Sequence, residues 1–316
     1  MKNVLFVIDK IELKYFEFNK LVTNFWLIKE FLDKGVNVAI TTIPNLYLNG
    51  KKAFAKTYEC FEDKNNIFYK DVKIDREIDS FDLVMFRPDP PVDIDYINAT
   101  YVFDFVNTKV INSPKAIRDF NEKLHSLYFS EYMTDSIVTS SLKDIEEFLL
   151  RNKQIVLKPL NKCFGSGVMY LYEGDPNTRT IINTITNNET TLAMVQKFIP
   201  EVRSGDNRVL TLGDKILPYS IKKLPGKDDF KFNDHSDSFL IKSDLTKEEL
   251  DYFTPVAEKL NKMGIEMAGL DVIGNNIIEI NVTSPCYFIK EINNAYGINL
   301  EHILGDYLLT NSLLSL

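Results

Sequence analysis

Apolar residues along this chain fall into short runs divided by polar, glycine- and proline-marked breaks, the layout of alternating strands and helices. "NVLFVI" (3–8) is a continuous apolar run of strand length. Phe18, Leu21, Val22, Phe25, Ile28 and Leu32 follow at helical spacing, and Gly35 ends them. "VNVAITT" (36–42) is the next strand, and this order implies a parallel pair with a right-handed crossover. "FDLVMF" (81–86) is another buried strand that stops at "RPDPP", and "TKVINSP" is a fourth. Pro114 then sits in the first turn of a helix expected to run towards Ser130. The first third therefore predicts an open parallel α/β sheet.

From about residue 135 the pattern becomes β-rich. Strands are expected at "QIVLKPL" (154–160), "VMYLY" (168–172) and "TLAMVQKFI" (191–199). "NRVLTLGDKILPYSI" (207–221) is a hairpin turning at Gly213-Asp214. Residues 222–244 are polar and read as an irregular, mobile loop, followed by a helix from Lys247 to Met263. The last hairpin, "MAGLDVIGNNIIEINVTSP" (267–285), places acids inside strands. A three-residue loop at Gly274-Asn275-Asn276 pairs Ile273 with Ile277 and Asp271 with Glu279. Glu279 and Asn281 share a strand face, so two carboxylates and an amide converge on one patch. Opposed carboxylates repel unless a cation lies between them, and this donor set suits Mg²⁺.

Composition narrows the classes. The 316 residues are 45% hydrophobic and 26% charged, ordinary for a globular protein of about two domains. A net charge of -8 argues against nucleic acid or an anionic membrane as partner. Cys60, Cys163 and Cys286 are far apart with no metal-type spacing, which points to a reducing, cytoplasmic setting. Only six apolar residues precede Asp9, too few for a signal peptide, and no apolar run approaches membrane-spanning length.

Cations in apolar strands are the remaining chemical signal. Lys158 lies on the strand ahead of "NKCFGSG", where Gly165 and Gly167 allow backbone N–H groups close to a phosphate; neither a Walker A nor a GxGxxG motif is present. Arg208 starts an apolar strand and calls for an anionic partner. Lys123 stands on the helix after Pro114, and the three histidines fit no hydrolytic triad.

In order and spacing, Lys123, Lys158 with the "FGSG" loop, "MVQKFIP", "GDNRVL" and "GLDVIG…IEINVTSP" resemble the bacterial glutathione synthetase family of ATP-grasp ligases. "DPP…YINATY" (89–101) and "INSPKAIRDFNEKL" (111–124) resemble its N-terminal landmarks, so the likeness covers nearly the whole chain. The resemblance implies an ATP-grasp fold behind an open parallel-sheet domain. Residues 1–122 would bind substrate, 123–200 would form the central lid subdomain, and 201–316 would carry the metal site.

It also implies roles. Lys123, Lys158 and the loop at Gly165, Ser166 and Gly167 would hold ATP phosphates. Lys197, Phe198 and Ile199 would read adenine through backbone groups, with Asp206 near the ribose. Asp271, Glu279 and Asn281 would hold Mg²⁺, with Mn²⁺ the other candidate, and Arg208 would stabilise the transferring phosphoryl group. Arg87, Lys231, Asn233 and Ser284 would face the substrates, which in the family are γ-glutamylcysteine and glycine. A cytoplasmic dimer or tetramer, with no nucleic-acid or membrane partner, is implied.

The chain departs from the family on its acceptor side. Where members carry a glycine- and alanine-rich loop, residues 231–239 read "KFNDHSDSF", with Lys231 for the usual arginine and His235, Asp237 and Phe239 for small residues. Lys290 also replaces an arginine, and Pro88 stands where lysine is common. Lysine cannot make arginine's bidentate grip on a carboxylate. Weaker substrate binding or a changed acid–amine pair is expected, and a nucleotide binder without catalysis is the reading from another class.

Overall fold

The structure is a computed structural model and describes residues 2–10, 22–163, 165–226 and 239–311. Lys231, Asn233, His235, Asp237, Phe18 and Leu21 lie outside the described residues. The described strands form three sheets, and chemistry is expected where the second and third meet.

The first sheet is built on β1 (Asn3–Ile8), which lies between β2 (Asn37–Thr42) and β7 (Leu83–Phe86), both parallel to it, with Val4 opposite Val38 and Leu83. β1 is covered on both faces, which is why it reads as unbroken apolar residues. The crossover helix α1 (Thr23–Asp33) buries Phe25, Leu27, Ile28 and Phe31. β8, expected from "TKVINSP", is only Val110–Ile111. Beyond β2 lies an antiparallel extension of β3 (Leu46–Asn49), β4 (Lys52–Asp63), β5 (Asn66–Tyr69) and β6 (Ile74–Glu77). After β7 comes α2 (Ile94–Val102), with Asp93 accepting from the Tyr96 N–H as its cap.

The helix expected from Pro114 towards Ser130 is much shorter: α3 is Pro114–Asp119. Phe120 is extended, and the Asn121 side chain accepts from the N–H groups of Lys123 (3.1 Å) and Leu124 (2.9 Å), turning the chain. Lys123 therefore stands at the head of a 3₁₀ stretch, Leu124–Tyr132, rather than on α3.

The second sheet has the order β11-β10-β12-β9 and comprises β9 (Ser136–Thr139), β10 (Gln154–Pro159), β11 (Met169–Tyr172) and β12 (Ala193–Lys197). Its covering helices α4 (Leu142–Asn152) and α5 (Thr178–Ile185) enclose a core drawn from residues 137–195.

The third sheet runs β15-β14-β13-β16-β17: β13 (Asp206–Leu212), β14 (Lys215–Leu224), β15 (Phe239–Lys242), β16 (Met267–Ile273) and β17 (Asn276–Asn281). The segment read as an irregular loop from 222 to 244 is strand at both ends, because β14 continues to Leu224 and β15 pairs back on it, Leu224 opposite Phe239. Residues 227–238 between them lie outside the described residues. Helix α6 (Lys247–Lys262) has a Thr246/Glu249 capping box and buries Phe253, Val256, Ala257 and Leu260 against this sheet.

The final hairpin also differs in detail from expectation. Ile273 pairs with Asn276 and Val272 with Ile277, so the turn holds two residues, Gly274 and Asn275. A bulge at Ile278 then restores Asp271 opposite Glu279. Last, α7 (Ile289–Tyr296) and α8 (Leu300–Asn311) return to the first sheet, where Leu300, Leu304 and Leu308 share a core with Val4, Phe6 and Phe25.

Candidate active site

Strand registers line up charged side chains across the third sheet. Arg208 on β13 is opposite Asp271 on β16, which is opposite Glu279 on β17, while Asp206 on β13 is opposite Lys223 on β14. Directly opposed residues share a sheet face. Arg208 grips Asp271 with two donors, Nε to Oδ1 at 2.8 Å and Nη2 to Oδ2 at 3.3 Å, and its Nη1 donates to the Cys286 carbonyl at 3.1 Å. Lys223 Nζ also donates to Asp271 Oδ1 (2.9 Å) and is ion-paired with Asp206. Asn281 Nδ2 reaches Asp271 Oδ2 at 3.3 Å and the Gly269 carbonyl at 3.2 Å. A side chain at Gly269 would collide with this arrangement: a Cβ there would stand 2.8 Å from Arg208 Cδ.

These charges are buried in mutual neutralisation. Burial pushes the Asp271 carboxyl up, but Arg208 and Lys223 outweigh it and hold the group well below the usual carboxylate range. Lys223 is pushed down by burial and lifted further by Asp271 and Asp206, so it stays charged. Burial, joined by the charge of Asp271, raises Asp206 despite Lys223.

Two lysines from outside the third sheet point into it. Lys123 Nζ bonds Glu279 Oε1 (2.9 Å) and the Lys162 carbonyl (2.7 Å). Lys158, on β10, donates across to the carbonyl of Ile278 at 3.1 Å. Ile278 is the bulged residue and has no register partner on β16. Lys123, Lys158, Arg208 and Lys223 are all between 5% and 8% exposed. Lys158 differs from the other three: among the described residues it makes no ion pair. Burial therefore dominates, and its amine is pushed down to about 8 despite Glu279 nearby.

The loop after β10 supplies further backbone polarity. Gly165 and Gly167 have φ of 68° and 72°. A Cβ on Gly167 would come 2.9 Å from Pro159 Cγ, so the loop folds tightly against the strand it leaves. Ser166 N–H bonds the Cys163 carbonyl at 3.0 Å. At the other end of β12, the Lys197 and Phe198 N–H groups already bond the carbonyls of Asp135 (2.8 Å) and Gln154 (3.0 Å), and the Phe198 ring packs edge-on to Tyr170. Ile199 accepts from the Val202 N–H through its carbonyl.

Not every sequence-derived candidate lies in this cluster. Arg87 is 2% exposed; its Nε bonds Asn24 Oδ1 (2.6 Å) and its Nη2 the Pro285 carbonyl (2.9 Å), so it pins the first domain to the segment after β17. Ser284 Oγ bonds Asp89 Oδ1. Lys290 is exposed on α7. Sequence reasoning missed Lys223, although continuing the alternation of "NRVL…YSIKKL" two residues past Ile221 would have put it on the face of Arg208.

The comparisons with known proteins now bear on this cluster. The prokaryotic glutathione synthetase N-terminal domain matches residues 2–118, and that family's ATP-grasp domain matches residues 122–297. The chain belongs to the prokaryotic glutathione synthetase family. A glutathione synthetase from Buchnera aphidicola is 36% identical over 272 residues, 84% of each chain. One from Neisseria meningitidis serogroup B is 33% identical over 293 residues, 90% of this chain and 92% of its own. Among solved structures, the D-cycloserine synthetase DcsG superposes with a TM-score of 0.68 at 13% identity over 98% of this chain and 99% of its own, which establishes the ATP-grasp fold. As a member of the glutathione synthetase family the chain is an ATP-dependent ligase that forms a C–N bond, using ATP with a divalent metal ion. No helix among the described residues is long and apolar enough to cross a membrane.

Proposed function

We propose that this chain joins the cysteinyl carboxylate of γ-glutamylcysteine to the amine of glycine, with ATP converted to ADP and phosphate. The observation that carries the site assignment is Lys158, a buried cation without an ion-pair partner among the described residues, which lies between two sheets and donates to the strand of Glu279 and Asn281. The division into residues 1–122, 123–200 and 201–316 belongs to the same reading, as does a cytoplasmic homo-oligomer.

The residues fit the implied groups. Among the described residues no three His, Cys, Asp or Glu side chains gather into a cation cage. The protein donors are instead Asp271, Glu279 and Asn281, two carboxylates and an amide on one face, which leaves positions for phosphate and water as Mg²⁺ prefers. A bound Mg²⁺ or Mn²⁺ would neutralise phosphate charge there. Lys123 and Lys158 supply cationic anchors, and the loop with Gly165, Ser166 and Gly167 supplies backbone donors that exclude water when closed. Lys197, Phe198 and Ile199 edge the adenine position, with Asp206 towards the ribose.

The chemistry sets what these residues must do. A carboxylate does not condense with an amine in water, so its oxygen first attacks the terminal phosphorus of ATP; the bond to the β-phosphate oxygen breaks, ADP leaves with that bonding pair, and an acyl phosphate results. The amine nitrogen then attacks that carbonyl carbon, loses its proton, and phosphate departs with the C–O bonding pair. Arg208 faces the charge that builds up in both steps. Arg87, Ser284, Lys231 and Asn233 belong to the substrate side of the reading. A different acid–amine pair is the second reading, favoured by His235, Asp237 and Phe239 in residues 231–239. ADP release under saturating ATP and Mg²⁺, measured with γ-glutamylcysteine plus glycine and with a panel of other acids and amines, decides between them. Efficient turnover of the first pair at low concentration is expected; a clear preference for another pair would overturn the assignment, and no ADP release with any pair would favour a binder without catalysis.

Lys158 also gives the nucleotide site a pH signature. With a free-state pKa of about 8, its amine is charged below that pH and must take up a proton to greet ATP above it. ATP affinity should therefore fall as pH rises from 7 to 9, by up to about tenfold per unit above 8. Calorimetric titration at several pH values measures it, and Lys158→Met should flatten the profile. An affinity independent of pH in the unaltered chain would remove Lys158 from the phosphate site.

A further inference from the structure

Among the described residues β17 is the last strand in its sheet, so one of its edges has no strand partner there. The segment Asn121–Lys123 takes that place. The Glu122 carbonyl accepts from the Ile280 N–H at 3.2 Å. Its carboxylate Oε1 accepts from the N–H of Val282 (2.7 Å), the N–H of Thr283 (3.1 Å) and the Thr283 hydroxyl (3.1 Å). The two anchoring points bracket Asn281, whose amide in turn reaches Asp271 and the Gly269 carbonyl. The next residue, Lys123, bonds Glu279 and the Lys162 carbonyl, and Asn121 Nδ2 bonds the Leu160 carbonyl at 3.0 Å.

We propose that Glu122 is a positioning residue: it clamps the end of β17 so that Asn281 is held beside Asp271, and its neighbours Asn121 and Lys123 tie that clamp to the loop after β10. The inference rests on the metal reading given under the proposed function and deepens it. Glu122 touches neither substrate nor metal. It acts through three donors on two successive residues, all converging on one side-chain oxygen. Supporting partners of this kind set the orientation of metal-facing groups, and losing them typically weakens metal binding about 10–100-fold.

The test uses the full chain with Mn²⁺ as probe and a non-hydrolysable ATP analogue, reading free Mn²⁺ by electron paramagnetic resonance. Glu122→Ala should weaken Mn²⁺ binding about 10–100-fold, with a smaller change in binding of the analogue under EDTA. Glu122→Gln keeps an oxygen for the same donors and should restore Mn²⁺ binding to within a few-fold. Thr283→Val removes one donor and should weaken binding less than Glu122→Ala. Unchanged binding in all three variants would overturn the proposal, as would a Gln variant as weak as Ala, because charge rather than the clamp would then matter. If Glu122→Ala does not fold, Gln and Val decide: Gln close to the unaltered chain with Val weaker supports the clamp, and any other pattern sinks it. Failure of the unaltered chain to bind Mn²⁺ at all would instead bring down the metal reading, and this inference with it.

Discussion

Asp271→Ala should lose both turnover and stability. In the folded chain Asp271 neutralises Arg208 through two bonds and Lys223 through one. Removing it leaves Lys223 with Asp206, whereas Arg208 keeps the Cys286 carbonyl and the Phe288 ring but, among the described residues, no carboxylate within bonding distance. Stranding a buried charge in this way costs about 3–5 kcal/mol. The same change deletes one of the two carboxylates proposed to hold the metal ion. Urea unfolding should give an unfolding free energy lower by that amount and a correspondingly earlier midpoint, and ADP release should fall to background. A variant within about 1 kcal/mol of the parent would show that the cluster contributes little.

Arg208→Lys tests the geometry of the same cluster while keeping its charge. Lysine is a point donor, so it cannot span both Asp271 oxygens and the Cys286 carbonyl together. If Arg208 faces the charge developing on the transferred phosphoryl group, kcat should fall about 10²–10³-fold with little change in ATP affinity. Gly269→Ala should act in the same direction, because its methyl would stand 2.8 Å from Arg208 Cδ and push the guanidinium aside. Single-turnover kinetics with saturating ATP separates these effects from binding. A Lys variant that loses ATP affinity but keeps kcat would reassign Arg208 to ground-state binding.

β1 and β2 were legible because strands covered on both faces read as unbroken apolar runs. The opposition of Asp271 and Glu279 was legible although its derivation was not: a shorter turn and a bulge at Ile278 arrive at the same pairing. β3–β6 left no clear signal, because alternation in β4 passes through Ala53, Ala55 and Thr57, small residues that bury without looking apolar. The early end of α3 depends on one side chain, Asn121, folding back on its own backbone. Lys223 was hidden because a lysine pair after Ile221 resembles the start of a solvated loop, while its partners Asp206 and Asp271 lie 17 and 48 residues away. The contacts of Arg87 were not legible either: an arginine beside a proline turn gives no sign that it bonds Asn24 and the Pro285 carbonyl, far away in the chain.

The return of α8 to the first sheet has a consequence for how the chain is made. During translation the strands β1, β2 and β7 emerge early, but the core they share with Leu300, Leu304 and Leu308 stays open until the ribosome has nearly finished. One face of the first sheet closes within residues 5–117, and the second sheet draws its core from residues 137–195 and can close as soon as those have left the exit tunnel. The middle of the molecule can thus reach its native packing before the other face of the first sheet does, and a nascent chain stalled before residue 300 leaves that face without its C-terminal cover, a natural substrate for chaperones.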